Sequence, residues 1–364
     1  MEKYSRWRDP GTGIHPFLPP TPPRIDASIG QTILDYLLLV PCSLLAAIRI
    51  LQLVCISLLW IILVEILGLI LYPIRPLYLL WRRLFVFCLA RTALLLMGFF
   101  YIPTETVSLR RGRATSESKT SWPPGGGVKP GDVIVANACS YVDLVYLAFR
   151  YDPIFTHTFV QTATLRPISL LTAILNLTHK PDLEPPQGSK DLDISKLAKE
   201  AKKLGRPLVI FPEGTTSNGR ALLTFVPLFK ECTLPVKEFN LYVMAFKYDS
   251  QGFSPSYTVG SLGAHVFKLC SQFTNSLGVK FLPPLESPSS PIFVRQTSND
   301  GPSGADEKEE DVVGMQCQRL MGQISRLRRT KMGAREKIEF LNYYELRTKG
   351  YKEIGGRNWR MSTR

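Results

Sequence analysis

The most constraining feature of this sequence is a belt dense in Leu, Ile, Val and Phe between residues 33 and 101. Within it, "ILQLVCISLLWIILVEILGLILY", Ile50 to Tyr72, is long enough to cross a hydrocarbon core, which needs ~20 residues. Its length and apolar density argue against a buried helix of a soluble core. Glu65 lies inside it and is costly in lipid unless it faces a polar partner. A second apolar stretch, Leu84 to Ile102, follows "RPLYLLWRR" and is interrupted by Arg91. The pair reads as a re-entrant hairpin, or as one span with an interfacial helix. Tyr78, Trp81, Arg82 and Arg83 suit a membrane–water interface. Basic residues flank every apolar stretch, so charge asymmetry does not set a topology.

Outside the belt the chain reads as soluble. Residues 1–30 are polar and Pro-rich ("DPGTGIHPFLPPTPPR"), and proline opposes a packed helix. They read as a tether, with a polyproline ligand as the alternative. They are no signal peptide, because the apolar run begins late and is too long. From residue 131 strand and helix patterns alternate. "DVIVAN", "IFTHTFVQ", "PLVIF" and "NLYVMAFKY" read as strands. "YVDLVYLAFRY", "SLLTAILNL", "DISKLAKEAKKLG" with Gly205 as its cap, and "LGAHVFKLCSQFTNSLG" read as helices. Such alternation implies an α/β domain with a mixed, largely parallel sheet. The resulting division is a Pro-rich segment (1–30), membrane-anchoring helices (31–102), a catalytic-size domain (103–283), a low-complexity linker (284–311) and a basic C-terminal helical segment (312–364). A helix from about Val312 to Leu341 is expected there. It carries Arg326, Arg328, Arg329, Lys331, Arg335 and Lys337, read as a solvated or membrane-contacting face.

Charge and composition narrow the function classes. The net charge of +14 suits an anionic membrane surface or anionic substrates. Nucleic acid ranks below both, because no zinc-finger spacing, RNP-like motif or basic zipper occurs. The seven cysteines are scattered without a CxxC pair, which points to a reducing compartment rather than a disulfide framework or structural zinc. The four histidines are too dispersed for a metal cluster, and no metal site is expected.

Two strings carry chemistry. "FPEGTTSNGR", Phe211 to Arg220, follows a buried strand. A Gly/Thr-rich turn at a strand's C-terminal end can aim N–H groups at an anion. Arg220 could add charge-assisted bonds. Glu213 would accept bonds from loop amides or from a substrate hydroxyl. The second string, "NACSYVD", Asn137 to Asp143, follows the strand "DVIVA".

In this order, behind an N-terminal apolar segment, the two blocks resemble the PlsC-like glycerolipid acyltransferase superfamily over about residues 131–270. The first family block is N-H-x-S-x-x-D, matched by Asn137, Ser140 and Asp143, with Ala138 at the histidine. The second is matched by Glu213, Gly214 and Thr215, with Thr216 where many members carry Arg. The opening "MEKYSRWRDPGTGIHPFLP" is similar to the start of fungal lysophosphatidic acid acyltransferases of the endoplasmic reticulum and lipid droplets, a group that also departs from the histidine. The resemblance implies acyl transfer from acyl-CoA to a lysophospholipid, foremost lysophosphatidic acid, at an endoplasmic reticulum or lipid-droplet bilayer. It implies no cofactor beyond acyl-CoA as co-substrate. A hairpin with both ends in the cytosol would put the domain on the side of that donor. Ser140, Glu213, Gly214, Thr215, Thr216, Asn218 and Arg220 are the expected substrate-binding residues.

In such a family the histidine is the base on the acceptor hydroxyl and the aspartate orients it; a positioned base contributes ~10²–10⁴-fold. Ala138 leaves that position vacant. Three replacements are open from sequence: another histidine (His157 or His179), Asp143 itself, or Cys139 as base or nucleophile. A small buried residue is the plainer reading of Cys139. His265 reads as a satisfied histidine on a helix. A fold kept for lipid binding alone is the competing hypothesis.

Overall fold

The computed structural model describes residues 4–20, 29–109, 127–186, 192–249, 253–293 and 311–348. Helix α1 (Ile29–Trp60) runs through a π-helical turn (Ile61–Ile66) into α2 (Leu67–Leu71). Residues 37–71 form a helix long and apolar enough to cross a membrane, and most of their large side chains are exposed. After a turn at 72–74, α3 (Arg75–Leu96) packs back on this helix, and the Trp81 indole donates to the Leu63 carbonyl at 3.0 Å. The second apolar stretch therefore belongs to a helix that ends at Leu96, six residues short of Ile102. Gly98, at φ 87°, turns the chain there.

The remaining elements alternate: β1 (Thr104–Thr106), β2 (Val133–Ala136), α4 (Tyr141–Tyr151), β3 (Ile154–Phe159), β4 (Thr164–Ile168), α5 (Leu170–Thr178), α6 (Ile194–Leu204), β5 (Leu208–Ile210), β6 (Ala221–Leu222), β7 (Leu241–Asp249), α7 (Leu262–Ser271), β8 (Ser276–Phe281), α8 (Val312–Ser325), β9 (Arg328–Arg329) and α9 (Ala334–Thr348). Seven strands form one sheet in the order β1-β8-β7-β2-β5-β3-β4. The pairs β1–β8, β7–β2, β2–β5 and β5–β3 are parallel, while β7–β8 and β3–β4 are antiparallel. This is the mixed, largely parallel α/β sheet the alternation implied. Period-2 alternation sends Ile134, Ala136, Val209, Phe211 and Met244 to one face, under α3, α4 and α5. Val133, Val135, Leu208, Ile210 and Val243 go to the other, under α6 and α8.

The helical pair is fixed to this domain by charge. Arg49, buried within apolar α1, donates to the carbonyls of Cys270, Gln272 and Phe273, where α7 ends and leaves carbonyls unpaired. Arg82 on α3 grips Asp152 at 2.9 Å, and Arg206 binds the same carboxylate at 3.1 Å. Glu65 lines a cleft beside Tyr78, Arg82, Asp152 and Arg206, so the acidic residue of the apolar run faces cations.

Four expectations change. The helix expected through Gly278 stops at Ser271. Leu277, Val279 and Phe281 alternate inward instead, as strand β8, which pairs along β7. The C-terminal helix breaks at Arg326, which adopts a left-handed φ of 57°, and resumes as α9. Lys337 of that basic run is buried rather than solvated. The N-terminal segment is no tether over residues 4–20: Trp7 and Phe17 are buried against Leu223, Met332 and Phe340. Asp9 accepts from the Lys331 N–H. Pro22, Pro23, most of the Gly/Ser-rich loop (110–126), most of the low-complexity linker (294–310) and residues 349–364 lie outside the described residues.

Because Phe17 is fully buried, Phe17→Ala should cost about 3–5 kcal/mol, as buried Phe→Ala changes do. The check is the denaturant midpoint of the purified chain, which a tether residue would leave unmoved.

Candidate active site

Strands β2 and β5 are parallel neighbours, so the segments leaving their C-terminal ends, Asn137–Asp143 and Phe211–Arg220, emerge side by side. This is where open α/β sheets form ligand crevices. Asn137 continues the sheet with its side chain: Oδ1 accepts from the Phe246 N–H at 2.7 Å and Nδ2 donates to the Phe246 carbonyl at 3.1 Å. Ser140 caps α4, and Asp143 closes the reciprocal capping box. Asp143 Oδ2 accepts from the N–H groups of Cys139 and Ser140, both at 2.8 Å, and Oδ1 accepts from the Tyr248 hydroxyl at 2.5 Å.

Glu213 joins the two blocks. Oε2 accepts from the Ala138 N–H at 3.1 Å and Oε1 from the Leu223 N–H at 2.9 Å. The Ser217 N–H returns a bond to the Ala138 carbonyl. Beneath the second block, the Lys337 ammonium donates to the carbonyls of Thr216 and Thr258, over the ring of Phe17. The structure thus gathers Ala138, Cys139, Ser140, Asp143, Glu213, Gly214, Thr215 and Thr216. Two expected substrate contacts go elsewhere. The Asn218 side-chain amide donates to the carbonyls of His15 and Leu18, anchoring the N-terminal segment. Arg220 is exposed beyond the turn.

The first block and Glu213 are shut from solvent. Ala138, Cys139, Ser140, Asp143 and Glu213 each have 0% exposure. Burial pushes the Asp143 carboxyl up to about 7, against three donors that favour its charged form. Burial pushes Glu213 up to about 8 in the same way, and the Asp143 charge adds to it. The Cys139 thiol is driven well above the usual thiol range by burial and by the Asp143 and Glu213 charges. Its Sγ accepts from Asn137 Nδ2 and lies so near Gly219 that an added Cβ there would stand 3.3 Å away. A sealed thiol held neutral is neither base nor nucleophile. Asp143, fully buried and held by two donors of its own cap and by Tyr248, serves the framework of the block.

The open chemistry lies at the edge. A small crevice of about 40 Å³ borders Gly214 and Thr215 and is lined by His157 on β3 and His179 at the end of α5. These are the two histidines that sequence left unplaced. His265 is held at Nδ1 by Tyr141 and at Nε2 by the Ser256 carbonyl, and burial pushes it down to about 4. Tyr248, Lys337 and Asp182 were missed in the sequence. Alternation along "NLYVMAFKY" could have put Tyr248 on the face of Met244 and Phe246. Nothing local marks Lys337 within a basic run.

Two outcomes follow from this burial. Maleimide should leave Cys139 unmodified in the native chain and label it after denaturation, with peptide mass as the readout; rapid native labelling would restore it as a nucleophile. Burial lowers Lys337 from 10.5 to about 7, so between those values the folded chain binds fewer protons than the unfolded one. Its contribution to stability therefore rises with pH over that window. The melting-temperature gap between wild type and Lys337→Met should widen in favour of wild type from pH 7 to 10.

No protein-family model matches the chain, and no solved structure matches it. Two curated proteins do align. A Schizosaccharomyces pombe protein named as a lysophosphatidic acid:oleoyl-CoA acyltransferase is 28% identical over 249 residues, covering 67% of this chain and 73% of that one. Arabidopsis thaliana lysophospholipid acyltransferase LPEAT1 is 27% identical over 219 residues, covering 54% of this chain and 50% of its own length. With the two motif blocks joined at neighbouring strand ends, these alignments make the chain a relative of the glycerolipid acyltransferases.

Proposed function

We propose that the protein is a membrane-bound O-acyltransferase with a PlsC-like domain, transferring a fatty acyl group from acyl-CoA to a lysophospholipid. Lysophosphatidic acid is the favoured acceptor, giving phosphatidic acid. The observation that carries this reading is the junction of the two blocks through Glu213 in a chain related to acyltransferases. The reaction is attack of an acceptor hydroxyl on a thioester carbonyl, with coenzyme A thiolate leaving. The Gly214 N–H closes the turn on the Phe211 carbonyl, and Thr215 beside it lines the crevice where its backbone N–H could meet the acceptor's phosphate. The net charge of +14 favours both anionic substrates and an anionic bilayer. The exposed apolar helix 37–71 supports attachment to a bilayer. The site is the endoplasmic reticulum membrane and lipid droplet, with the domain in the cytosol beside acyl-CoA.

One observation favours a second reading, a catalytically silent phospholipid-binding protein. Ala138 is sealed, and its N–H is committed to Glu213, so the family's histidine has no counterpart at its own position.

The test is transfer of radiolabelled oleate from oleoyl-CoA to lysophosphatidic acid by the purified chain in detergent. Wild type should make phosphatidic acid. Glu213→Gln, which turns an amide donor toward one of two buried N–H groups, should lower the rate at least ~10-fold and reduce the melting temperature, since leaving a buried donor unpaired costs ~1–3 kcal/mol. Wild type that binds lysophosphatidic acid yet transfers nothing above a heat-killed control would establish the silent reading.

A further inference from the structure

The vacancy at Ala138 leaves the reaction without a proton acceptor, and the crevice supplies one on a different strand. His157 lies on β3, two strands across the sheet from β2, and its ring edges against Phe159 in a T-shaped contact. Asn176 Nδ2 lies 3.3 Å from His157 Nδ1. An amide N–H facing Nδ1 makes that nitrogen an acceptor and leaves the ring proton on Nε2. Asp182 Oδ2 stands 3.2 Å from Nε2, within ion-pair distance and off the hydrogen-bond line. The imidazole is mostly buried, while the Asp182 carboxylate is 63% exposed. The same crevice is bounded by Leu144, one residue past Asp143, and by Phe211, Gly214 and Thr215 of the second block. His157 and the Gly214–Thr215 end of the second block therefore share one cavity, with the exposed Asp182 carboxylate behind the ring and outside the cavity lining.

We propose that His157 is the general base of acyl transfer, with Asp182 as its positioning partner. The inference rests on the acyltransferase reading. The acceptor hydroxyl displaces the long Asn176 contact and gives its proton to His157 Nδ1. The freed oxygen bonds to the thioester carbonyl carbon, the carbon–sulfur bond breaks, and the electron pair leaves on the coenzyme A sulfur. The imidazolium, paired with Asp182, returns its proton to that thiolate, so ester and free thiol are the products and the enzyme is unchanged. Three groups bear on the charge of the ring: Asp182 from the loop after α5, Arg166 paired opposite it on β4, and His179 in the same crevice. Burial lowers the His157 pKa below its usual 6.5, Asp182 opposes that, and Arg166 reinforces it. The ring is then neutral, and competent as a base, at pH 7.

The experiment measures oleoyl transfer to lysophosphatidic acid across pH 4.5–8 for the full chain in detergent, with thermal melts of each variant. Wild type should lose activity as pH falls through a single ionisation below 6.5. His157→Gln should lower kcat by ~10²–10⁴-fold and abolish that limb, with its melt close to wild type. Asp182→Asn should lower kcat by less than His157→Gln does and move the remaining acid limb to lower pH, because the carboxylate holds the ring pKa up. Active wild type with His157→Gln equally active, or Asp182→Asn with an unmoved limb, would overturn the base assignment while leaving the acyltransferase reading intact. Wild type inactive at every pH would overturn both.

Discussion

Glu213 is the group on which the two halves of the site depend. It is a carboxylate without solvent, and burying it is costly unless its oxygens are bonded. Its two oxygens are met by amides from opposite directions, Ala138 from the first block and Leu223 from beyond the second. A side chain of this length with this geometry can be satisfied only if β2 and β5 are parallel neighbours in the observed register. The Ser217 bond back to the Ala138 carbonyl makes the linkage reciprocal. The Lys337 ammonium holds the outer side of the same turn through the carbonyls of Thr216 and Thr258. The turn is clamped from the sheet by the Glu213 carboxyl and from α9 by the Lys337 amine, and Phe17 seats the N-terminal segment over that amine.

The same saturation redefines the first block. An aspartate whose oxygens accept from Cys139, Ser140 and Tyr248 is fixed by helix capping, whether or not a histidine stands beside it. Replacing that histidine by Ala138 therefore need not collapse the block: the cap and the Asn137 pairing to Phe246 run through other side chains, and the Glu213 bridge takes only the backbone N–H of residue 138. The framework of a catalytic site can outlast its base, and a base can be recruited from the next cavity at little cost to the fold.

The sheet was legible because its signals are local. Runs such as "DVIVA" and "PLVIF" are apolar on both faces, as buried parallel strands must be, and their order in the chain brings the two blocks together. What escaped reading has a common cause. Strand β8 lies shortly after α7 with only Leu277, Val279 and Phe281 to announce it, and its second partner β1 is distant in sequence. Residues 4–20 look like a linker by composition, yet Trp7 and Phe17 find their cavity only once α9 is in place. Lys337 is one cation among many until the turn supplies two carbonyls. At the site, Ala138 marked a missing group but could not say where its substitute lay. That depends on which strands flank β5, a fact of topology rather than of spacing.

Topology also links the apolar helices to the chemistry. Helix α4 begins at the Ser140 cap inside the site and ends at Asp152, about 18 Å away at 1.5 Å per residue. There Asp152 takes Arg82 from α3 and Arg206 from the start of β5 on one carboxylate. A half-buried triad of this kind contributes little net stability, because desolvation offsets much of the attraction, but it fixes geometry: removing one partner leaves a charge uncompensated. The cross-link sets the tilt of α3 against α4, while Arg49 sets α1 against the end of α7. Both contacts hold the exposed apolar face of residues 37–71 at a constant orientation to the crevice, so a lipid-embedded helix would present the domain to its acceptor in one pose.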